Sequence, residues 1–180
     1  GSQSWRNYAI LGSNDDTKWY QVQKVSGLAA GNGLTAGSVV PTGTYKNSTF
    51  KYFVFIWGNK AADSNREVAM GDLKLYGHRE NDLVRLPDPT NVLKYPHVVM
   101  TGPAQRGYVA SASEEQANFE AYKAFNDTVS ASGTNLHHWT SPNLNYNISG
   151  DFTAGTGVNH TTNVGGTSKY GDWCQIELPH

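Results

Sequence analysis

Apolar and polar residues alternate with a period of two near the start of the chain. In "WRNYAIL" (5–11) Tyr8 and Ile10 fall on one face, and "KWYQVQKV" (18–25) alternates in the same way. Between these runs lies Gly-Ser-Asn-Asp-Asp (12–16), which is rich in turn-forming residues. Two alternating runs around such a turn predict a β-hairpin.

Five later segments also have strand patterns. "TFKYFVFIWG" (49–58) is apolar on both faces, which predicts a central strand. Alternation predicts a single strand over "VAMGDLKLYG" (68–77), another in "GYVASAS" (107–113) and a last one in "DWCQIELP" (172–179), and "HVVMTG" (97–102) also has strand character. The only helix-like stretch is "EEQANFEAYKAFND" (114–127). The pattern therefore predicts an all-β protein with less than about a fifth of its residues in helices.

Composition adds limits on function. The 180 residues carry 14 basic and 15 acidic side chains, which gives no basic patch for nucleic acid. The longest apolar run, "YFVFIW" (52–57), has the length of a strand and not of a membrane span, so we expect no membrane insertion. Cys174 is the only cysteine, which excludes an internal disulfide, and its mid-strand position predicts a buried, inert thiol.

Segments from both halves of the chain resemble a discoidin domain, also called the coagulation-factor C-type or galactose-binding-like domain. "GYVASAS…YKAFND…HHWTS…GDWCQIELP" is similar to the front half of that domain. "AILGSNDDTKW…FKYFVFIWGN…VAMGDLKLYG" is similar to its back half. The resemblance covers most of the chain and implies a jelly-roll β-sandwich.

The two halves come in reversed order. Residues 1–80 resemble the back half of one module, 81–95 resemble a linker, and 96–180 resemble the front half of the next module. This order is typical of a window cut from tandem repeats or of a circular permutation. The family strand that follows "IELP" has no counterpart here, so three arrangements stay open: a longer chain, a permuted sandwich with a gap, or halves completed by neighbouring copies of the module.

The resemblance also implies a site for a structural Ca²⁺. In the family the ion lies beside an "AFDG" loop, with help from an acid in the last strand. The matching residues here are Asn126 and Asp127 in the loop and Asp72 in the strand. Asn126 replaces the family aspartate, which weakens the set because Ca²⁺ prefers several hard oxygen ligands.

Asp15 and Asp16 could be metal ligands, catalytic carboxylates or the polar tip of the hairpin. An EF-hand loop starting at either residue would need Glu at its twelfth position, where the chain has Ser26 or Gly27. Turn chemistry therefore favours the structural interpretation. No strained nucleophile turn such as G-x-S-x-G occurs, so we expect no enzymatic activity.

The predicted function is a non-catalytic module of an extracellular, cell-surface or virion protein that binds a glycan or another surface ligand. Sugar sites combine a stacking ring with a few fixed polar groups. Trp57 is the best ring for stacking, although core packing is the better single explanation of it; the polar candidates are Asn65, Arg66, His137 and His138. The alternative is a structural module that assembles into a fibre or virion coat when one chain completes the strand set of another. Glycosylation sequons begin at Asn47, Asn126, Asn147 and Asn159.

Overall fold

A computed structural model describes residues 5–26, 45, 48–60, 67–77, 93–128, 137–142, 145–153, 161–164 and 167–179. These residues form twelve β-strands and one short 3₁₀ helix, Ala121–Phe125. The strands are β1 (Trp5–Ser13), β2 (Tyr20–Val25), β3 (Tyr52–Lys60), β4 (Ala69–Met70), β5 (Leu75–Gly77), β6 (Leu93–Tyr95), β7 (Ala104–Gln105), β8 (Tyr108–Ala112), β9 (Trp139–Thr140), β10 (Thr161–Val164), β11 (Thr167–Tyr170) and β12 (Asp172–Glu177). The all-β prediction is confirmed.

Six strands form one antiparallel sheet in the order β2-β1-β3-β12-β8-β7. β1 and β2 are the predicted hairpin, and β3 lies between β1 and β12, which confirms its central position. Three two-stranded ribbons complete the described architecture: β4–β9, β5–β6 and β10–β11. The main sheet and the shorter ribbons are consistent with a β-sandwich.

β12 joins the two halves of the chain in one sheet. Its residues pair with β3 on one side, Cys174 opposite Phe55, and with β8 on the other, Cys174 opposite Ala112. Both edges of β12 are therefore paired within the chain, so the absent family strand leaves no unpaired edge beside "WCQIELP". Lys51 closes the end of this strand: its carbonyl accepts a hydrogen bond from the Leu178 amide at 2.8 Å, and its ammonium lies 2.7 Å from Glu177.

Several predicted elements are shorter than the pattern indicated. "VAMGDLKLYG" is divided into β4 and β5, because Asp72 has a φ of 52° and the Leu73 amide donates to the carbonyl of Ala124 at 2.6 Å. "HVVMTG" is not a strand. The predicted linker 81–95 ends in β6, which pairs with β5, so its described residues belong to the folded body.

The helix-like stretch gives only five helical residues. Its aromatic residues, Phe119, Tyr122 and Phe125, recur every three positions, and a 3₁₀ helix has three residues per turn. Asn118 has a φ of 70°, and the Glu115 carboxylate accepts the Ala121 amide at 2.8 Å, so the residues before the helix are held in turns.

The larger core lies on one face of the main sheet. β3 directs Phe55 and Trp57 into it, β12 directs Cys174 and Ile176, and β9 contributes Trp139. The opposite face carries a smaller buried cluster: Leu11, Trp19, Val54 and Ile56. This alternation is the period-two pattern that identified the strands. Among the described residues, no helix is long and apolar enough to cross a membrane.

Candidate functional site

The two hairpin acids serve the turn. The Asp15 carboxylate accepts hydrogen bonds from the amides of Thr17 (3.0 Å) and Lys18 (2.7 Å) and from the Ser13 hydroxyl (3.0 Å). These backbone donors hold the pKa of Asp15 well below its usual range. Asp16 takes the left-handed conformation, with a φ of 58°, which Asp tolerates better than most residues. Both observations agree with the structural interpretation of this pair.

Two of the three residues predicted to hold Ca²⁺ come together, but around a lysine. Lys74 Nζ lies 3.0 Å from Oδ1 of Asp72 and 2.9 Å from Oδ1 of Asp127. Lys94 Nζ lies 3.0 Å from the second oxygen of Asp127. We call Asp72, Lys74, Lys94 and Asp127 the charged quartet. Hydrogen bonds to the carboxylates raise the pKa of Lys74, and the two lysines lower the pKa of Asp127.

The described residues of this site do not fit a Ca²⁺. The ion takes six to eight oxygen ligands, whereas ammonium groups already contact both carboxylates. The side-chain oxygen of the third predicted ligand, Asn126, accepts the Thr128 amide at 3.1 Å. No group of three or more His, Cys, Asp or Glu side chains suited to a metal occurs in the described part of the chain.

An open cleft of about 420 Å³ adjoins the charged quartet. It is lined by Leu93, Lys94, Tyr95 and His97, so Lys94 belongs to both the cleft and the quartet. The ring of His97 is fixed by a hydrogen bond of 2.5 Å between its Nδ1 and the hydroxyl of buried Tyr108. The cleft thus combines an apolar wall, a cationic group and an imidazole held in one orientation.

A solvent-exposed aromatic ring lies beside this cleft. Tyr76 of β5 is directly opposite Lys94 of β6, and its side chain is 65% exposed. Residues opposite one another in an antiparallel pair share a face. The tyrosine ring and the Lys94 ammonium are therefore on the same side of the β5–β6 ribbon.

The predicted ligand residues that the structure describes lie in different environments. Trp57 is only 1% exposed and stacks on Trp139, with ring centroids 5.3 Å apart, so the prediction of a sugar platform there is wrong and the core-packing explanation is right. His137 is exposed. His138 is partly buried, and its ring packs on that of Phe119 with the ring centroids 4.8 Å apart. Asn65 and Arg66 lie outside the described residues.

Two of the four sequons can be placed. Asn126 is buried after the 3₁₀ helix. Asn147 is partly buried, and its side-chain oxygen accepts the Asp151 amide at 2.9 Å. Asn47 and Asn159 lie outside the described residues.

A buried polar network lies near the start of β12, and no local sequence pattern indicates it. Asp172 is fully buried and accepts a hydrogen bond from the Asn145 amide group at 2.8 Å. The Tyr146 hydroxyl donates to the carbonyl of Trp57 at 3.0 Å, and burial raises the pKa of this tyrosine. These residues attach the 145–153 loop to the main sheet. Cys174 of the same strand is buried in the core, and desolvation raises its pKa, as the inert-thiol prediction requires.

Comparisons with known proteins identify no relative. No family model matches the chain, and no match was found among the curated proteins or the solved structures.

Proposed function

We propose that this chain is a non-catalytic, discoidin-like binding module that holds a glycan or another surface ligand in the cleft beside β6. The observation that carries the proposal is the position of Lys94. Lys94 lines the cleft, its ammonium belongs to the charged quartet, and its side chain shares a face with the exposed ring of Tyr76.

Sugar recognition requires these components. An aromatic ring stacks on the apolar face of a pyranose, while fixed polar groups bind its hydroxyls. The quartet keeps the charged groups in place, and the Tyr108 hydroxyl fixes His97. Relative to the sequence prediction, the aromatic role moves from Trp57 to Tyr76, and Lys94 and His97 replace the histidine pair as the polar groups.

The proposal places the protein at the surface of a cell or virion, where tandem copies would act together. Joining weak sites raises their overall affinity through effective concentration. β12 is paired on both sides within the chain, which supports the binding module over the assembly alternative. The burial of Cys174 and the role of Asp15 in the turn agree with a non-catalytic module.

The test is a glycan array probed with a multivalent display of the intact chain. We expect binding to a subset of glycans and a loss of about tenfold in affinity for Tyr76→Ser, since a stacking ring contributes roughly 0.5–1.5 kcal/mol beyond its area. Tyr170→Ser is the matched control, because Tyr170 is 60% exposed and lies on a different ribbon. No binding to any glycan would contradict a glycan as the ligand, and equal losses in the two variants would contradict the proposed site beside β6.

A further inference from the structure

Two carboxylates from distant parts of the chain converge on one ammonium group. Asp72 follows β4 and Asp127 follows the 3₁₀ helix, and both have left-handed backbones with φ values of 52° and 55°. Lys74 Nζ lies 3.0 and 3.1 Å from the two oxygens of Asp72 and 2.9 Å from Asp127. Its position between the two acids is where a bound cation would neutralise them.

The second lysine makes the arrangement electrically neutral. Lys94 reaches the remaining oxygen of Asp127 from β6, so two ammonium groups balance two carboxylates. A backbone hydrogen bond also joins the turn after β4 to the 3₁₀ helix, because the Leu73 amide donates to the Ala124 carbonyl at 2.6 Å. The quartet thus connects the turn after β4, strand β6 and the loop after the 3₁₀ helix.

We propose that Lys74 is a built-in structural cation that joins the turn after β4 to the loop after the 3₁₀ helix, so that this part of the protein is held without a metal ion and does not respond to Ca²⁺. A divalent ion would have to displace both ammonium groups from the carboxylates. It would also have to complete a shell of six to eight oxygens, and the Asn126 side-chain oxygen is already bonded to the Thr128 amide.

The geometry explains why a lysine serves here. The four-carbon stem of Lys74 starts two residues from Asp72, and its side chain is 30% exposed, so the ammonium group can reach both acids. Because these ion pairs are partly buried, salt weakens them less than it weakens fully exposed pairs. Removing Lys74 leaves two carboxylates facing each other, whereas removing Lys94 leaves Asp127 still paired with Lys74.

The experiment compares thermal unfolding of the intact chain in EDTA and in about 5 mM CaCl₂, a concentration above the range of weak extracellular calcium sites. We expect the same Tm in both. Lys74→Met, which keeps the apolar stem, should lower the Tm by about 2–4 °C. Lys94→Met is the matched control and should lower it less, and adding Asp127→Asn to Lys74→Met should restore part of the loss.

A rise in the Tm of the intact chain with Ca²⁺, or a fall with EDTA, would overturn the proposal. Equal effects of Lys74→Met and Lys94→Met would do so as well. If Lys74→Met does not fold, the calcium comparison on the intact chain still decides the question. These readouts are independent of glycan binding, so this inference and the proposed function can fail separately.

Discussion

Gly171 is the position where one added methyl group should do the most damage. This residue precedes β12 and has a φ of 152°, which L side chains rarely adopt. A Cβ built there would lie 2.0 Å from the carbonyl oxygen of Trp57. That oxygen also accepts the hydrogen bond of the buried Tyr146 hydroxyl. Gly171→Ala therefore forces the backbone of β3 and β12 apart at the site where the buried network is anchored.

The cost follows from two separate effects. A residue with a side chain in a backbone region reserved for glycine costs about 1–3 kcal/mol. Overpacking adds about 1–3 kcal/mol, because β3 is paired on both sides and cannot move cheaply. The sum of about 2–6 kcal/mol is a large part of the 5–15 kcal/mol that holds a typical domain together.

Urea unfolding of Gly171→Ala measures this loss, with Gly58→Ala as the control. Gly58 is the next residue after Trp57, but its Cβ would meet no atom closer than 3.7 Å, so we expect a change within about 1 kcal/mol. In thermal unfolding, Gly171→Ala should lower the Tm by roughly 5–20 °C. A Gly171→Ala protein within 1 kcal/mol of the native chain would refute the reasoning.

Three further predictions concern the buried and turn residues. Asp15→Asn should lower the Tm at pH 7, and the difference should shrink below about pH 4, because a carboxylate with a lowered pKa stabilises the fold above its unfolded pKa and loses that effect as the pH falls. Asp16→Asn should show no such loss, since burial raises the pKa of Asp16; matching pH profiles would contradict this. The Cys174 thiol should react with a thiol reagent only as fast as the protein unfolds, and immediate labelling of the native chain would show the core to be open. Tyr146→Phe removes the hydrogen bond to Trp57 and should cost about 1 kcal/mol in urea unfolding, whereas an unchanged midpoint would show that this bond does not contribute.

The long strands were predictable because each has its own local signal. In β3 both faces are apolar, and a strand of this kind has to lie between two others. In β12, Cys174 and Ile176 alternate with more polar residues, and these two side chains are buried in the core. The ribbons β4–β9 and β5–β6 could not be predicted, because strands of two or three residues are defined by partners distant in sequence.

The candidate site was predictable only in part. Resemblance to the discoidin family placed Asp72 and Asp127 together, and the structure does bring them to one place. The lysine between them was missed because a charged residue in an alternating pattern is usually exposed to solvent, and no local signal identifies a partner fifty residues away. Trp57 was placed wrongly as a ligand residue because a ring at the end of a strand can face either solvent or the core. Only its stacking partner Trp139, which is distant in sequence, shows that it faces the core.

The position of β12 has a consequence for how the chain acquires its structure during synthesis. Of the strands in the main sheet, β12 leaves the ribosome last, yet it occupies the place between β3 and β8. Until residues 172–177 have emerged, the β2-β1-β3 unit and the β8-β7 hairpin have no strand to join them, and the inner edge of β3 has no partner from this sheet. Pairings of such large sequence separation form slowly, and uncovered edges favour association between chains. The nascent protein is therefore most vulnerable to aggregation before β12 is made, because its central sheet can be completed only after this strand has emerged.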